Sequence, residues 1–297
     1  MCSIYSNGCL GYIIQRLYRY PTDSESSLLH SLKQIVGDVW DWRKQITKLA
    51  LFDLKKQVAR TALGPFWLFA KRIVYVLVFW FALEIGLKSG KDTGGDGAYL
   101  IWLASGVFTW TFMQSMIGSG SAVFNKFSYL VTKIKFPLAG IPAIHAISES
   151  IIFLGLLVIL GITCVVMGEA PTIHLIQLPF AIILLLVFWY MFSLCTSMLG
   201  ALSKDFHNLM TTLSQPLFWL SGIIFNISNI QILAVQLFAV LNPVTFFATL
   251  MRDAIYYHTW IWDDPNACIG FAIVFVIQFV ATLVVYKKAQ MEVRDEL

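Results

Sequence analysis

The chain has 297 residues, of which 58% are hydrophobic and only 13% charged, with a mean hydropathy of +0.73. No soluble domain of this size needs so much apolar surface, and several runs reach the roughly 20 residues that cross a bilayer core. The net charge of +4 is too mild for a nucleic-acid footprint and reads as a topology signal.

Strand-like alternation is absent, so the fold class is an all-α polytopic membrane protein. The five cysteines, Cys2, Cys9, Cys164, Cys195 and Cys268, form no C-x-x-C pair and have no histidine at ligand spacing, which argues against a metal or disulfide framework.

In chain order, MCSIYSNGCLGYIIQRLYRYP lacks the form of a signal peptide, because its apolar run is short and Arg16 and Arg19 follow it. Residues 1–30 are expected to be a poorly ordered extension. Residues 31–60 predict one amphipathic helix, with Leu32, Ile35, Val36, Val39, Trp40, Ile46 and Leu49 at helical spacing and Lys33, Lys44, Lys48 and Lys55 flanking them. Such a helix lies in the headgroup plane or packs against another cytoplasmic domain, and the two readings can coexist.

Residues 61–297 predict a six-span domain, with spans at 66–87, 99–123, 144–167, 175–200, 209–226 and 267–286. With both termini cytoplasmic, the inside gathers Lys33, Arg43, Lys44, Lys48, Lys55, Lys56, Arg60, Lys71 and Arg72. It also gathers Lys126, Lys133, Lys135, Lys204, Lys287, Lys288 and Arg294, against only Lys88, Lys91 and Arg252 outside. That asymmetry sets the orientation.

The loop NKFSYLVTKIKFPLAGIP, Asn125 to Pro142, mixes Phe127, Tyr129, Leu130, Ile134 and Phe136 with Lys126, Lys133 and Lys135. Its first half predicts a short helix that Pro137 helps to end. The apolar face is a docking surface or an interfacial anchor.

NPVTFFATLMRDAIYY, Asn242 to Tyr257, decides between six spans and seven. A seventh span through 232–256 puts Arg252 inside the bilayer, at about 2.5–3.5 kcal/mol on insertion scales, and Lys287 and Lys288 outside. The stretch is therefore expected to dip into the outer leaflet as two short helices broken at Asn242–Pro243. Arg252 and Asp253 are expected to pair near the outer interface.

The chain lacks the chemistry of a self-powered pump. GKD at Gly90 to Asp92 lacks the rest of a phosphate-binding loop. His145 and Glu149, at i and i+4, are the one candidate for ion coupling, set against an interfacial or interhelical polar contact. No G-x-S-G occurs, since Ile117 stands two positions before Ser119, and GSGS, Gly118 to Ser121, reads as a close-packing run. No internal repeat relates the two halves, so a symmetric pathway needs a second copy.

Four stretches carry a family likeness: ARTALGPFW (Ala59 to Trp67), YLVTKIKFPLAGIP (Tyr129 to Pro142), DFHNLMTTLSQPLFWLSGIIF (Asp205 to Phe225) and NPVTFFATLMRDAIYY, with YKKAQMEVRDEL at the C-terminus. In their order and spacing over residues 31–297 the chain resembles the membrane subunits of polysaccharide-exporting ABC transporters, the wall teichoic acid and O-antigen exporter group. YLVTKIKF is more similar to the teichoic acid branch. The sequence departs from the family pattern at Lys204, where an arginine is expected, and at Gly222, where a proline is usual.

The resemblance implies a homodimer of six-span subunits in a bacterial cytoplasmic membrane, with two ATP-binding subunits. It also implies a lipid-pyrophosphate-linked glycan as cargo, no cofactor on this chain, and ATP and Mg on the partner. Asn125, Lys126, Phe127, Tyr129, Leu130, Lys133, Lys135, Phe136 and Pro137 are then the coupling loop. Asn242, Pro243, Arg252 and Asp253 shape the outer exit. Trp110, Phe112, Phe218 and Trp219 are candidate sugar platforms, although aromatics also populate membrane interfaces and packed spans. The rival classes are a secondary transporter or flippase, which needs a site such as Glu149, and a membrane enzyme on lipid-linked sugars, for which His258, Asp263 and Asp264 are the only outer cluster.

Overall fold

The computed structural model describes residues 28–86, 98–134, 136–169, 171–227, 230 and 232–296. Most of the N-terminal extension, Lys88, Lys91 and Lys135 lie outside the described residues.

The described chain is helical. The interfacial segment is two helices, α1 (Leu28–Asp41) and α2 (Arg43–Val58), where the sequence predicts one. The interruption falls at Trp42, whose ring packs edge-on against Phe136 at 4.9 Å. The apolar stripe divides accordingly. Ile35, Ile46, Ala50 and Leu54 are buried, whereas Val36 and Trp40 are exposed, and Arg43 lies over the Trp40 ring.

Four long apolar helical segments follow: α3 (Phe66–Trp80), continued as a π turn to Gly86; α4 (Ala98–Ser121); α7 (Gly140–Val166); and α8 (Leu178–Leu202), entered through a 3-10 turn at Ile173–Gln177. Two short helices, α5 (Val123–Lys126) and α6 (Ser128–Ile134), form an elbow between α4 and α7. The last helix, α12, runs Pro265–Glu296. These five segments are long and apolar enough to cross a membrane. α4 is the central post, most of its residues buried, whereas few of those on the Phe66–Gly86 segment are.

The fifth expected span differs. Helix α9 covers Lys204–Leu220, 17 residues, and stops before SGIIF, which the sequence predicts inside a span at 209–226. At about 1.5 Å per residue it is roughly 25 Å long, short of a bilayer core of about 30 Å. Gly222 takes φ +64°, a left-handed conformation that ends a helix and that the usual proline cannot adopt. Past Ser221–Phe225, which leave helical geometry, come α10 (Leu233–Leu241) and α11 (Pro243–Arg252), bent at 80° to each other. The break falls at Asn242–Pro243, where the sequence predicts it. Asn242 caps α11 by accepting from Val244 N at 3.0 Å and donates its amide to Ser221 Oγ at 2.7 Å, and Pro243 opens the helix.

Arg252 is where the expectation fails. It does not sit at a wet interface paired with Asp253; it is buried, and its guanidinium is taken up by backbone carbonyls. Nη1 donates to Gly222 O at 3.0 Å, Nη2 to Ile223 O, and Nε to Trp102 O at 3.3 Å, while the plane lies over the Trp102 ring at 3.5 Å. Thr245 donates to Ser221 O and Tyr99 to Ile224 O. Gly106 faces the guanidinium so closely that a Cβ there collides with it. The broken backbone of 221–224 thus receives from side chains the hydrogen bonds a helix no longer supplies.

Replacing Arg252 by Ala takes the side-chain donors from the Gly222 and Ile223 carbonyls, at about 1–3 kcal/mol each. The expected outcome is a sharp fall in the detergent melting temperature that Asp253→Ala does not rescue, with Asp253→Ala alone mild. Restoration of the melt in the double variant would return the partnership to Asp253.

Candidate functional site

A polar concavity lies between α3, α4 and α9, a cleft of about 710 Å³. Its wall on α4 is Thr111, Gln114, Ser115, Gly118 and Ser119, spaced 3, 1, 3 and 1 apart, one helical face, with Ala122 just past the helix end. Opposite stand His207, Thr211, Ser214 and Gln215 of α9, again one face, and Arg72 of α3 and Lys126 of α5 complete the lining. A polar stripe on the apolar α4 therefore faces a polar stripe on α9 across open space. Both stripes were legible as 3.6-residue periodicity in hydroxyl and amide residues, a signal the aromatic candidates obscured.

Those aromatics are placed elsewhere. Trp110 and Phe112 flank the α4 stripe and turn into the core, Trp110 toward Phe218 at 5.7 Å and Phe112 toward Phe153 at 5.6 Å. Trp110, Phe112 and Phe218 are fully buried, so they are packing residues and not sugar platforms; Trp219 alone is exposed. The reason is the helical step of about 100° per residue, which rotates the neighbours of a cleft residue away from the cleft.

The polar groups at the cleft's α2 end are held from behind. Arg72 Nη2 pairs with Glu149 Oε2 at 2.8 Å, and Lys126 Nζ with the buried Asp53 at 2.8 Å. His207 Nδ1 meets Ser121 Oγ at 2.8 Å. His145 Nε2 contacts Ser115 at 3.2 Å. His145 and Glu149 are therefore spent on separate interhelical contacts, to α4 and α3. Gly120 of the GSGS run sits against Ser193 of α8, whereas Gly118 faces the cleft.

The elbow divides as well. Phe127, Leu130 and Phe136 are buried in the protein's own core around Ile46 and Ala139. That corrects their place on an open docking face. Pro137 is half-buried just past α6, and Asn125 is exposed. Tyr129, Lys133 and Ile134 point outward from α6, with Tyr129 43% and Ile134 54% exposed. At the opposite end, Thr172 bonds the His258 ring at 3.0 Å, and Asp263 accepts from Trp260 N. Among the described residues no group of three or more His, Cys, Asp or Glu could hold a metal ion.

Taken together, the apolar helices define a multi-pass helical membrane protein with a polar cleft between its helices. Residues 44–256 match the family model of the ABC-2 type transporter, and the chain belongs to that family. It is also similar to the O-antigen export system permease protein RfbA of Myxococcus xanthus, 19% identical over 268 residues, which cover 89% of this chain and 99% of that protein.

In a background with the native cysteines replaced, Ser119→Cys and Thr211→Cys are expected to react with a water-soluble maleimide in membranes, and Phe112→Cys is not. Equal protection of all three would close the cleft to water.

Proposed function

We propose that this chain is the membrane-spanning permease subunit of an ATP-driven exporter of a lipid-linked polysaccharide, O-antigen-like or teichoic acid-like. The observation that carries the reading is the cleft: a wall of hydroxyls and amides, suited to sugar hydroxyls, left open between α3 and α9 in a member of a transporter family. One copy supplies half a pathway, and a second copy facing the same helices completes it.

In this reading the assembly is a homodimer in the bacterial cytoplasmic membrane with both termini cytoplasmic. α9, extended by the chain of Ser221–Phe225 that follows it, makes the fifth of six crossings, and α10 and α11 form an outer re-entrant hairpin. Two ATP-binding subunits supply ATP and Mg, and no cofactor resides on this chain. They dock on the outward face of α6, where Tyr129, Lys133 and Ile134 are available, with Asn125 and Lys126 at the base of the elbow. Phe127, Leu130, Phe136 and Pro137 transmit motion as the rigid interior of that elbow.

The ion-coupled alternative loses its best residue to a structural pair, because Glu149 is tied to Arg72.

Three outcomes are expected. Gln114→Leu with Gln215→Leu lowers surface glycan in an export assay while the ATP-binding subunit still co-purifies. Tyr129→Ala with Ile134→Ala releases that subunit or lowers its ATPase rate, since each side chain buries about 1.5–3 kcal/mol of apolar surface if enclosed. External reagents label a cysteine at Asp263 and not one at Lys133. Export that persists when ATP is depleted and collapses with the proton gradient would favour the secondary transporter.

A further inference from the structure

At the end of the spans opposite α1 and α2, away from the cleft, two cavities meet. One, of about 160 Å³, runs along α7, where Leu157, Leu160, Gly161, Cys164 and Val165 are spaced 3, 1, 3 and 1 apart on one helical face. Its other walls are Leu175 and Leu178, where the 3-10 turn enters α8, and Ile255 of the π turn Asp253–Tyr257 that follows α11. The second cavity, of about 340 Å³, lies beside the first turn of α4 and is bordered by Tyr257. The two share Glu169, Ile255 and His258, so an apolar trough ends at a polar mouth.

The mouth stands at headgroup depth. α7 ends at Val166, and Gln177 holds the neighbouring loop through Thr259 O and Ile261 N. On that loop Trp260 and Trp262 stack at 4.8 Å with Trp262 exposed, as aromatics do at a membrane–water boundary. Among the described residues lining the two cavities, Glu169 is the only carboxylate and no lysine or arginine occurs. Glu169 is exposed. Tyr257 accepts from Trp102 Nε1 at 2.8 Å, which leaves its own O–H to donate. His258 holds a left-handed backbone, φ +55°, that glycine or asparagine adopts at less cost. The Thr172 hydroxyl meets its Nδ1 at 3.0 Å, so Nε2 is the ring nitrogen left for the mouth.

The geometry points to a binding site for a membrane phospholipid with a primary-amine headgroup. One acyl chain lies in the α7 trough, Glu169 takes the ammonium, and Tyr257 and His258 donate to the phosphate. An anionic lipid brings a second negative charge to a mouth that holds a carboxylate and no cation. A free amine has nothing to place in the trough. The site is walled by α7, α8 and the turn after Arg252, and it shares no residue with the cleft. It therefore stands apart from the cargo and from the export reading.

The test uses the purified full chain, delipidated in detergent, and native mass spectrometry with phosphatidylethanolamine and phosphatidylglycerol of identical acyl chains. The unmodified chain is expected to retain one phosphatidylethanolamine at least tenfold more tightly than phosphatidylglycerol. Glu169→Gln is expected to lose about tenfold in phosphatidylethanolamine affinity and to erase that preference. Gly161→Leu, at an exposed helical position whose Cβ meets nothing within 4 Å, fills the trough and is expected to weaken both lipids alike. His258→Asn, which suits the left-handed backbone, is expected to weaken both as well. Equal retention of the two lipids by the unmodified chain overturns the site, as does undiminished phosphatidylethanolamine binding in folded Glu169→Gln or Gly161→Leu. Weakened self-association of Gly161→Leu with lipid binding intact gives the trough to a second copy and equally overturns it. Neither the glycan nor the ATP-binding subunit enters the assay, so a failed export reading leaves this result as it stands.

Discussion

The chain's broken segment stands on one side chain. Just past α9 the backbone of Ser221–Phe225 leaves helical geometry, and the carbonyls of Ser221, Gly222, Ile223 and Ile224 are met by side-chain donors. In a membrane-spanning protein water is not on hand to take them, so donors must come from within. Arg252 reaches three carbonyls, two of them here, and anchors the third bond and its cation–π contact on Trp102 of the central helix. Thr245 and Tyr99 complete the set. The residue that looks most out of place in an apolar run is therefore the one that makes the run's geometry possible.

This also marks how far the sequence could be read. The long spans, the elbow helix and the break at Asn242–Pro243 follow from apolar length and proline chemistry, which are local. Arg252's partners are not local: they come from residues 102, 222 and 223, and a neighbouring aspartate is the natural guess from sequence alone. The end of α9 was misplaced for the same reason, because SGIIF is as apolar as any span and only Gly222's left-handed backbone and its captured carbonyl stop the helix. Composition identifies what tolerates a bilayer, not where a helix ends inside one.

The candidate site shows a different limit. Large aromatics draw attention as sugar partners, yet Trp110, Phe112 and Phe218 supply bulk to the core. Small polar residues with no motif, Thr111, Gln114, Ser115 and Ser119, make the hydrophilic wall. Their periodicity was present in the sequence. What it could not supply was the facing stripe on α9 and the empty space between, which depend on how α3, α4 and α9 diverge.

α4 joins the two ends of this arrangement. At one end its Trp102 receives Arg252. At the other, Ser121 meets His207, and just beyond, Lys126 reaches the buried Asp53 of α2. Ser148 of α7 adds a bond to Ala50 O, so α2 is fastened to both α5 and α7. In the proposed exporter, a push on α6 from an ATP-binding subunit reaches a block whose apolar interior, Phe127, Leu130, Phe136 and Ile46, leaves little room to yield. Compliance then falls to α3, which packs on few neighbours, and to α9, which is short and joined to a broken segment. Those two helices flank the cleft, so the parts free to move are the parts that would widen it.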